Sequence, residues 1–213
     1  MPLHTTDALI LRTYKLGESD RIVVFLTRDR GKKRGVAKNA RQSRRRFGGA
    51  LEPLTFGRVA YMERERRELV SLHYVEVLRS PLSAVDGEAL GYVSYFAELI
   101  DEWAPEADPN ETLFRLGVSM VEAIAAGVPI QPLARYFEYW VLRLQGVYAP
   151  DPRVSVEGQA FLSAARTCSP FTIGDVRVSA SVLRELEASH RALIAMHLEK
   201  DLKSVRVLRD MRR

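Results

Sequence analysis

Hydrophobic positions in the first part of the chain follow the pattern of short β-strands. Residues 8–14 and 21–27 are rich in β-branched and aromatic side chains, and residues 17–20 between them have the composition of a turn. Three further runs are predicted at residues 32–38, 54–61 and 69–78, and a phase slip at Gly57-Arg58 in the second indicates a bulge. Five such runs favour a small antiparallel β-barrel, specifically the five-stranded OB-fold, because closure leaves few free sheet edges. A sheet or sandwich fragment is the alternative.

After Pro81 the apolar residues recur at helical spacing, which predicts four one-faced helices. Their apolar faces are Val93, Phe96, Ile100 and Trp103; Leu113, Leu116, Met120 and Ile124; Leu133, Phe137, Trp140 and Leu144; and Leu183, Leu186, His190, Leu193 and His197. Gly127 is expected to end the second helix, and Ser179 or Ser181 to cap the last. Short links predict antiparallel neighbours in a bundle. Residues 146–178 are the least regular, with a helical turn or two at residues 159–165.

These patterns predict an α+β multidomain chain, with an OB-fold domain at residues 1–80 and an all-α helical domain at residues 81–213. Charge divides at the same place. Residues 1–80 carry 18 Lys or Arg against 9 Asp or Glu, whereas residues 81–213 carry 14 against 18. This asymmetry indicates that the first part meets a polyanion, while the second supports it or meets another partner.

Positive charge is concentrated in residues 28–46, where ten residues are basic and only Asp29 is acidic. Glycines punctuate the run and apolar residues are few, so it is expected on a strand edge and loop rather than in the core. Seven of the ten are arginines, which suit bidentate contacts to phosphate. Binding to nucleic acid would release condensed counterions and depend on salt. A merely solvated charge run is the alternative.

Binding of single strands on a barrel also needs exposed aromatic rings on which bases stack. The candidates are Tyr14, Phe25, Phe47, Phe56, Tyr61 and Tyr74, although rings in a small barrel more often belong to its core. Phe47 is the preferred candidate, because it stands between three arginines and two glycines.

Sequence motifs of catalysis are missing. The chain has no phosphate-binding loop, nucleophile elbow, zinc-protease motif or EF-hand, so no enzyme activity and no catalytic residue are predicted. His190 and His197 share a helix face without a carboxylate at metal-ligand spacing, and Cys168 lacks a basic partner, so core or boundary positions are expected for them. The single cysteine, the absence of a leader pattern and the absence of a long apolar run predict a cytoplasmic protein without membrane contact.

Several segments spread over the chain point to one family. They are residues 16–27 (LGESDRIVVFLT), Gly31, residues 35–41 (GVAKNAR), 51–54 (LEPL), 75–77 (VEV), 140–151 (WVLRLQGVYAPD), and HL and KSVR within residues 197–206. Together they resemble the RecO family of bacterial recombination mediators. The resemblance implies an OB-fold followed by a helical domain, binding of single- and double-stranded DNA, and annealing of complementary strands. It also implies loading of RecA onto strands coated by single-strand-binding protein, with RecR as a partner.

The resemblance also implies that the helical domain contacts the acidic C-terminal tail of single-strand-binding protein, to which no particular residues are assigned. Many similar chains carry a four-cysteine zinc module, whereas residues 154–171 here hold only Cys168. Because tetrahedral thiolate zinc needs more ligands, no metal and no cofactor are predicted.

We therefore predict phosphate contacts in the basic stretch, with two secondary candidates near the C-terminus, in a cytoplasmic, nucleoid-associated protein. The predicted residues are Arg34, Lys38, Arg41, Arg44, Arg45 and Arg46, and then Lys203 and Arg206. Two alternatives remain open: an RNA- or ribosome-associated OB-fold module, and an adaptor whose basic loop contacts an acidic protein tail.

Overall fold

The structure is a computed structural model and describes residues 3–63, 68–83 and 87–211. Its strands are β1 (Leu3–Leu16), β2 (Asp20–Thr27), β3 (Gly31–Ala37), β4 (Phe56–Met62) and β5 (Val70–Arg79). They form a closed barrel in the order β1-β2-β3-β5-β4, in which only β3 and β5 run parallel. This arrangement confirms the predicted OB-fold. The predicted irregularity in β4 lies between Phe56 and Gly57, one position before the expected site.

Residues 8–11 of β1 and residues 23–27 of β2 are buried on both faces, which explains the continuous apolar runs in these strands. Side chains alternate across a strand, so Ile10 and Phe25 fill the barrel interior, while Leu9 and Leu26 point outward. The outward residues are fully buried against helices of the second half and share their hydrophobic core. A strand buried on two sides loses the polar-apolar alternation of a half-exposed strand.

The helices are α1 (Arg44–Phe47), α2 (Gly87–Trp103), α3 (Glu111–Ala125), α4 (Ile130–Leu144), α5 (Val156–Thr167), α6 (Ala180–Leu198) and α7 (Lys203–Met211). All four predicted helices are present, as α2, α3, α4 and α6. Ser179 is the cap of α6, since its hydroxyl accepts from the Val182 backbone N–H at 3.3 Å. Gly127 follows α3 with a φ of 78°, a left-handed conformation that glycine adopts without strain.

One helix in the second half is longer than predicted. A helical turn or two was expected at residues 159–165, but α5 spans 12 residues. Ser155 starts it by accepting from the Gly158 N–H at 3.2 Å, and Phe161 and Ala165 anchor it to the core. Because few of its residues are buried, the apolar periodicity is too weak to mark the full length.

The barrel and the helices meet along β1 and α2 and α3. Gly117 of α3 lies directly against β1, where a Cβ atom would stand 2.5 Å from Leu9 Cδ1. On the polar edge of this contact, Arg12 Nη2 lies 3.0 Å from Asp101 Oδ2 of α2. The division into domains near Ser80-Pro81 stays a prediction, because the outer face of the barrel and the helices share one core.

Candidate nucleic-acid interface

The basic stretch divides into two parts with different surroundings. Its first part, residues 28–34, is ion-paired. The pairs are Arg28 with Glu111, Arg30 with Asp29, Lys32 with Asp101 and Glu106, Lys33 with Glu63, and Arg34 with Glu106. Its second part, residues 38–46, lies at the end of the barrel where β3 runs into α1.

Lys32 is the clearest example of how the first part of the basic stretch pairs with the helical half. Its side chain is buried, and its Nζ donates to the Asp101 carbonyl oxygen at 2.6 Å, with Asp101 Oδ1 at 3.4 Å. Its backbone also pairs with residues 105–107, because its N–H donates to Pro105 and its carbonyl accepts from Ala107. The expectation that this run stays out of the core is therefore wrong at Lys32, where a buried charge needs its partner.

Arg34 is exposed, yet its Nη2 lies 2.9 Å from Glu106 Oε1. Lys38 lies four positions further along the chain, just past the end of β3, which is about 13 Å at the usual rise of a strand. The structure thus places Arg34 next to the helical half and away from the other predicted contacts.

Lys38, Arg41, Arg45 and Arg46 make no ion pair with a carboxylate among the described residues. Arg41 Nη1 instead donates to the Glu18 carbonyl oxygen at 3.0 Å, and Arg46 Nη2 to the Lys38 carbonyl oxygen at 2.9 Å. Lys38, Arg41 and Arg45 are exposed. Main-chain oxygens orient two of these guanidinium groups without neutralising their charge, so the cluster is available to an anion.

Arg44 begins helix α1, but its side chain lies outside the part of the chain that the structure describes. Its predicted role in phosphate binding therefore rests on its place in the sequence between Lys38 and Arg45.

Phe47 is not a stacking platform, which corrects the prediction from its neighbours. Its ring is 2% exposed and belongs to the barrel core with Ala50 and Leu51, because α1 closes this end of the barrel. Arg46 lies over the ring, with 5.1 Å between its Cζ and the ring centroid. The sequence could not distinguish a buried ring from a stacking ring at this position, because the residues that close the barrel directly follow a run of arginines.

The other aromatic candidates divide by burial. Phe25 and Tyr61 are fully buried inside the barrel, and Phe56 is half-buried. Tyr14 and Tyr74 are exposed. Tyr74 lies on β5, the strand that pairs with β3 up to Ala37 and Leu72, immediately before Lys38.

The opposite end of the barrel carries a small polar cluster around Tyr61. Lys33 Nζ donates to Glu63 Oε1 at 3.0 Å, and this hydrogen bond lowers the pKa of the Glu63 carboxyl group. Burial, reinforced by the charge of Glu63, raises the pKa of Tyr61 to about 12. The positive charge of Lys33 is therefore used within the barrel, in its ion pair with Glu63.

Lys203 and Arg206 belong to α7 and form a separate basic surface. Glu98 of α2 caps this helix, since its carboxylate accepts from the backbone N–H groups of Lys203 at 3.1 Å and Ser204 at 2.7 Å. Both basic side chains are exposed and line a groove of about 590 Å³ between α6 and α7. The floor of the groove includes Ile194, Leu202 and Val205, and its rim is basic.

The described residues do not assemble a metal or nucleophile site. No three His, Cys, Asp or Glu side chains in residues 3–63, 68–83 and 87–211 come together as metal ligands. Burial raises the pKa of the half-buried Cys168 thiol, which opposes formation of a thiolate. His190 is buried, with Nδ1 3.1 Å from Glu138 Oε2, whereas His197 is exposed. None of the helices within the described ranges combines the length and apolar character that crossing a membrane requires.

Sequence reasoning missed three residues around these sites. Asp101 and Glu106 pair with Lys32 and Arg34 from about seventy positions away, a pairing that the sequence does not signal. Arg21 lies near Arg41 in a cavity at the closed end of the barrel. Its position directly after the turn at residues 17–20 was the available signal.

Comparisons with known proteins agree with this architecture. Two family models match: "Recombination protein O N terminal" over residues 1–81 and "Recombination protein O C terminal" over residues 84–151. The DNA repair protein RecO of Koribacter versatilis is 46% identical over 70% of this chain and 61% of its own length, and that of Anaeromyxobacter sp. strain K is 39% identical over 81% and 64%. The chain thus spans less than two thirds of these relatives. RecO of Pelotomaculum thermopropionicum is 30% identical over 96% of this chain and 93% of its own length. The chain therefore belongs to the RecO family of DNA repair proteins.

Proposed function

We propose that this chain is a non-catalytic recombination mediator that binds single- and double-stranded DNA through the closed end of its barrel. The observation that carries the proposal is the cluster of Lys38, Arg41, Arg45 and Arg46, which makes no carboxylate pair within the described residues. Arg44 belongs to the same segment, and Arg34 extends the surface toward the helical half where phosphate displaces Glu106. Such a surface binds the backbone of DNA without reading its bases.

Annealing follows from the same electrostatics. Two complementary strands repel each other through their phosphates, and a protein that neutralises both lowers this repulsion and raises their local concentration. This mechanism requires positioned cations and no chemical step. Acting on DNA, the protein would work in the cytoplasm at the nucleoid.

The partners are proposed from family membership: RecR, single-strand-binding protein, and indirectly RecA during its loading. The groove between α6 and α7 is the surface whose chemistry suits the acidic tail of single-strand-binding protein. Lys203 and Arg206 supply positive charge at its rim, and Ile194 and Leu202 supply apolar surface beneath. In this proposal the two basic residues contact either that tail or DNA that lies along the helical half.

The decisive experiment measures DNA affinity against salt for the wild type and the variant Lys38→Ala, Arg41→Ala, Arg45→Ala. Each lost phosphate contact reduces the slope of log affinity against log salt by about 0.7 for single strands and about 0.9 for duplex. The triple variant should therefore lose about 2 units of slope for single strands and about 2.7 units for duplex. Arg46 is left in place because it stacks on Phe47 and holds the Lys38 carbonyl group.

A matched control removes three exposed arginines from the helical half, at Arg166, Arg177 and Arg184. It changes the net charge equally and should leave the slope nearly unchanged. Equal slopes in all three proteins would refute the proposed surface. If the wild-type protein prefers structured RNA to DNA, the RNA- or ribosome-associated module is favoured. If it binds an acidic peptide but does not speed annealing, the adaptor is favoured.

A further inference from the structure

A cavity of about 420 Å³ lies at the end of the barrel that α1 covers, beside the proposed DNA-binding cluster. Its volume falls within the range of about 300–1,000 Å³ that is usual for small-ligand sites. The lining residues are Arg21, Ala40, Arg41, Phe47, Gly48, Gly49, Leu51 and Glu52. Only Arg41 among them was a predicted phosphate contact.

Hydrogen bonds between separate segments hold the walls of this cavity in place. The Arg41 N–H donates to the Ser19 carbonyl at 3.2 Å, and Arg41 Nη1 donates to the Glu18 carbonyl at 3.0 Å. The Asn39 N–H donates to Asp20 Oδ1 at 2.8 Å. The turn between β1 and β2 is thereby tied to the segment after β3. A preformed site of this kind binds a ligand with less loss of conformational entropy.

The chemistry of the lining is mixed in a particular way. Arg21 and Arg41 provide two guanidinium groups, neither of which forms an ion pair among the described residues, and both remain able to bind phosphate. Ala40 and Leu51 provide apolar surface, and Glu52 provides an exposed carboxylate that only accepts hydrogen bonds. Binding of phosphate alone would require neither the apolar surface nor the carboxylate.

We propose that this cavity receives one unstacked nucleotide of a single strand, an inference that rests on the proposed function. Its phosphate binds between Arg21 and Arg41, and its base lies against Ala40 and Leu51. Glu52 accepts a hydrogen bond from the exocyclic amino group of the base. Cytosine, adenine and guanine carry such a group and thymine does not. Because the bases of a duplex are paired and stacked, only a single strand can fill the cavity.

The test measures binding of fluorescent oligo-dC, oligo-dT and a duplex, each about 20 nucleotides long so that a whole site is covered. Wild-type protein should prefer oligo-dC to oligo-dT by about 5-fold, near the lower limit for one hydrogen-bonded base contact. Glu52→Gln replaces one acceptor oxygen by a donor and should reduce this preference to less than 2-fold. Arg21→Gln should weaken both single strands about 5-fold and leave the duplex within 2-fold.

Two further variants separate the cavity from general charge. Ala40→Leu fills the cavity with its charges intact and should weaken single strands alone. Lys15→Gln removes a charge from the strand position that pairs with Arg21 but lies outside the cavity, so it should change single-strand and duplex affinity by the same factor. Circular dichroism verifies that each variant is folded.

The outcomes distinguish this inference from the proposed function. Failure of the wild type to bind any DNA would remove both. Tight binding of all three probes, with the ratio of single-strand to duplex affinity unchanged in Arg21→Gln and Ala40→Leu, would overturn the nucleotide site and leave the proposed function standing. Equal affinity of the wild type for oligo-dC and oligo-dT would overturn the role of Glu52.

Discussion

Replacing Arg135 by Met should destabilise the protein strongly, because Arg135 is the cation at the centre of a buried charge cluster. Arg135 is 1% exposed, with Nη2 2.8 Å from Glu138 Oε1 and Nη1 3.0 Å from Glu187 Oε2. Methionine keeps the packing of the aliphatic stem, but it leaves a buried carboxylate without its cation.

The magnitude follows from what each carboxylate retains. An ion pair with about 4 Å between charge centres is worth about 4 kcal/mol at an effective dielectric constant of 20, and removal of the cation also removes its desolvation cost. Glu187 keeps its pair with Arg191, and Glu138 keeps the donors Tyr95 and His190. The loss should therefore lie at the lower end of the usual range for broken buried pairs, about 3 kcal/mol.

Urea unfolding monitored by tryptophan fluorescence measures this loss, since Trp103 and Trp140 both lie in helices of the second half. The midpoint should fall while the slope against urea stays constant. Arg143→Met is the matched control, because Arg143 lies on the same helix with its side chain exposed, and it should cost less than about 1 kcal/mol.

A second change tests the cause. In the double variant Arg135→Met, Glu138→Gln, the neutral amide no longer needs a cation, so about 1–2 kcal/mol of stability should return. The reasoning is refuted if the single variant loses less than about 1 kcal/mol, or if the double variant is less stable than the single one.

Three other changes test separate parts of the structure. The pKa of Tyr61 is about 12 in the folded state, whereas tyrosine in the unfolded state titrates near 10. The free energy of unfolding should therefore fall as pH rises from about 10 to 12. Unfolding curves at alkaline pH should show a shallower fall for Tyr61→Phe. Gly117→Val should cost about 1–3 kcal/mol in thermal or urea unfolding because its side chain collides with Leu9, and an unchanged midpoint would contradict the close approach of α3 to β1. Glu106→Ala should free Arg34 and strengthen DNA binding about 3-fold at low salt, with no gain at high salt, and a loss of affinity would remove Arg34 from the proposed surface.

The sequence predicted the barrel and most helices because local patterns carry that information. β1 and β2 each contain a continuous apolar run, and α2, α3, α4 and α6 each have a regular apolar face. The full length of α5 was missed because Gly158, Phe161 and Ala165 are its only buried residues, too few to produce a regular apolar face.

The candidate site was less predictable, because the fate of a charge depends on distant residues. Nothing around Lys32 indicates that Asp101 will bury it, nor does the sequence near Arg34 indicate Glu106. Phe47 was misread since a ring that closes a barrel and a ring that faces solvent can have the same neighbours. Both errors come from long-range packing, which spacing along the chain does not encode.

The doubly buried strand β1 also constrains how this protein can be made. Its outward residues Leu9 and Leu11 pack into a core that is formed largely by helices synthesised roughly eighty residues later. A ribosome-bound chain that ends before α2 would expose these apolar side chains to solvent. A truncated barrel expressed by itself should therefore self-associate or need detergent. We therefore expect the barrel to acquire its native surface only after the helical half has emerged from the ribosome.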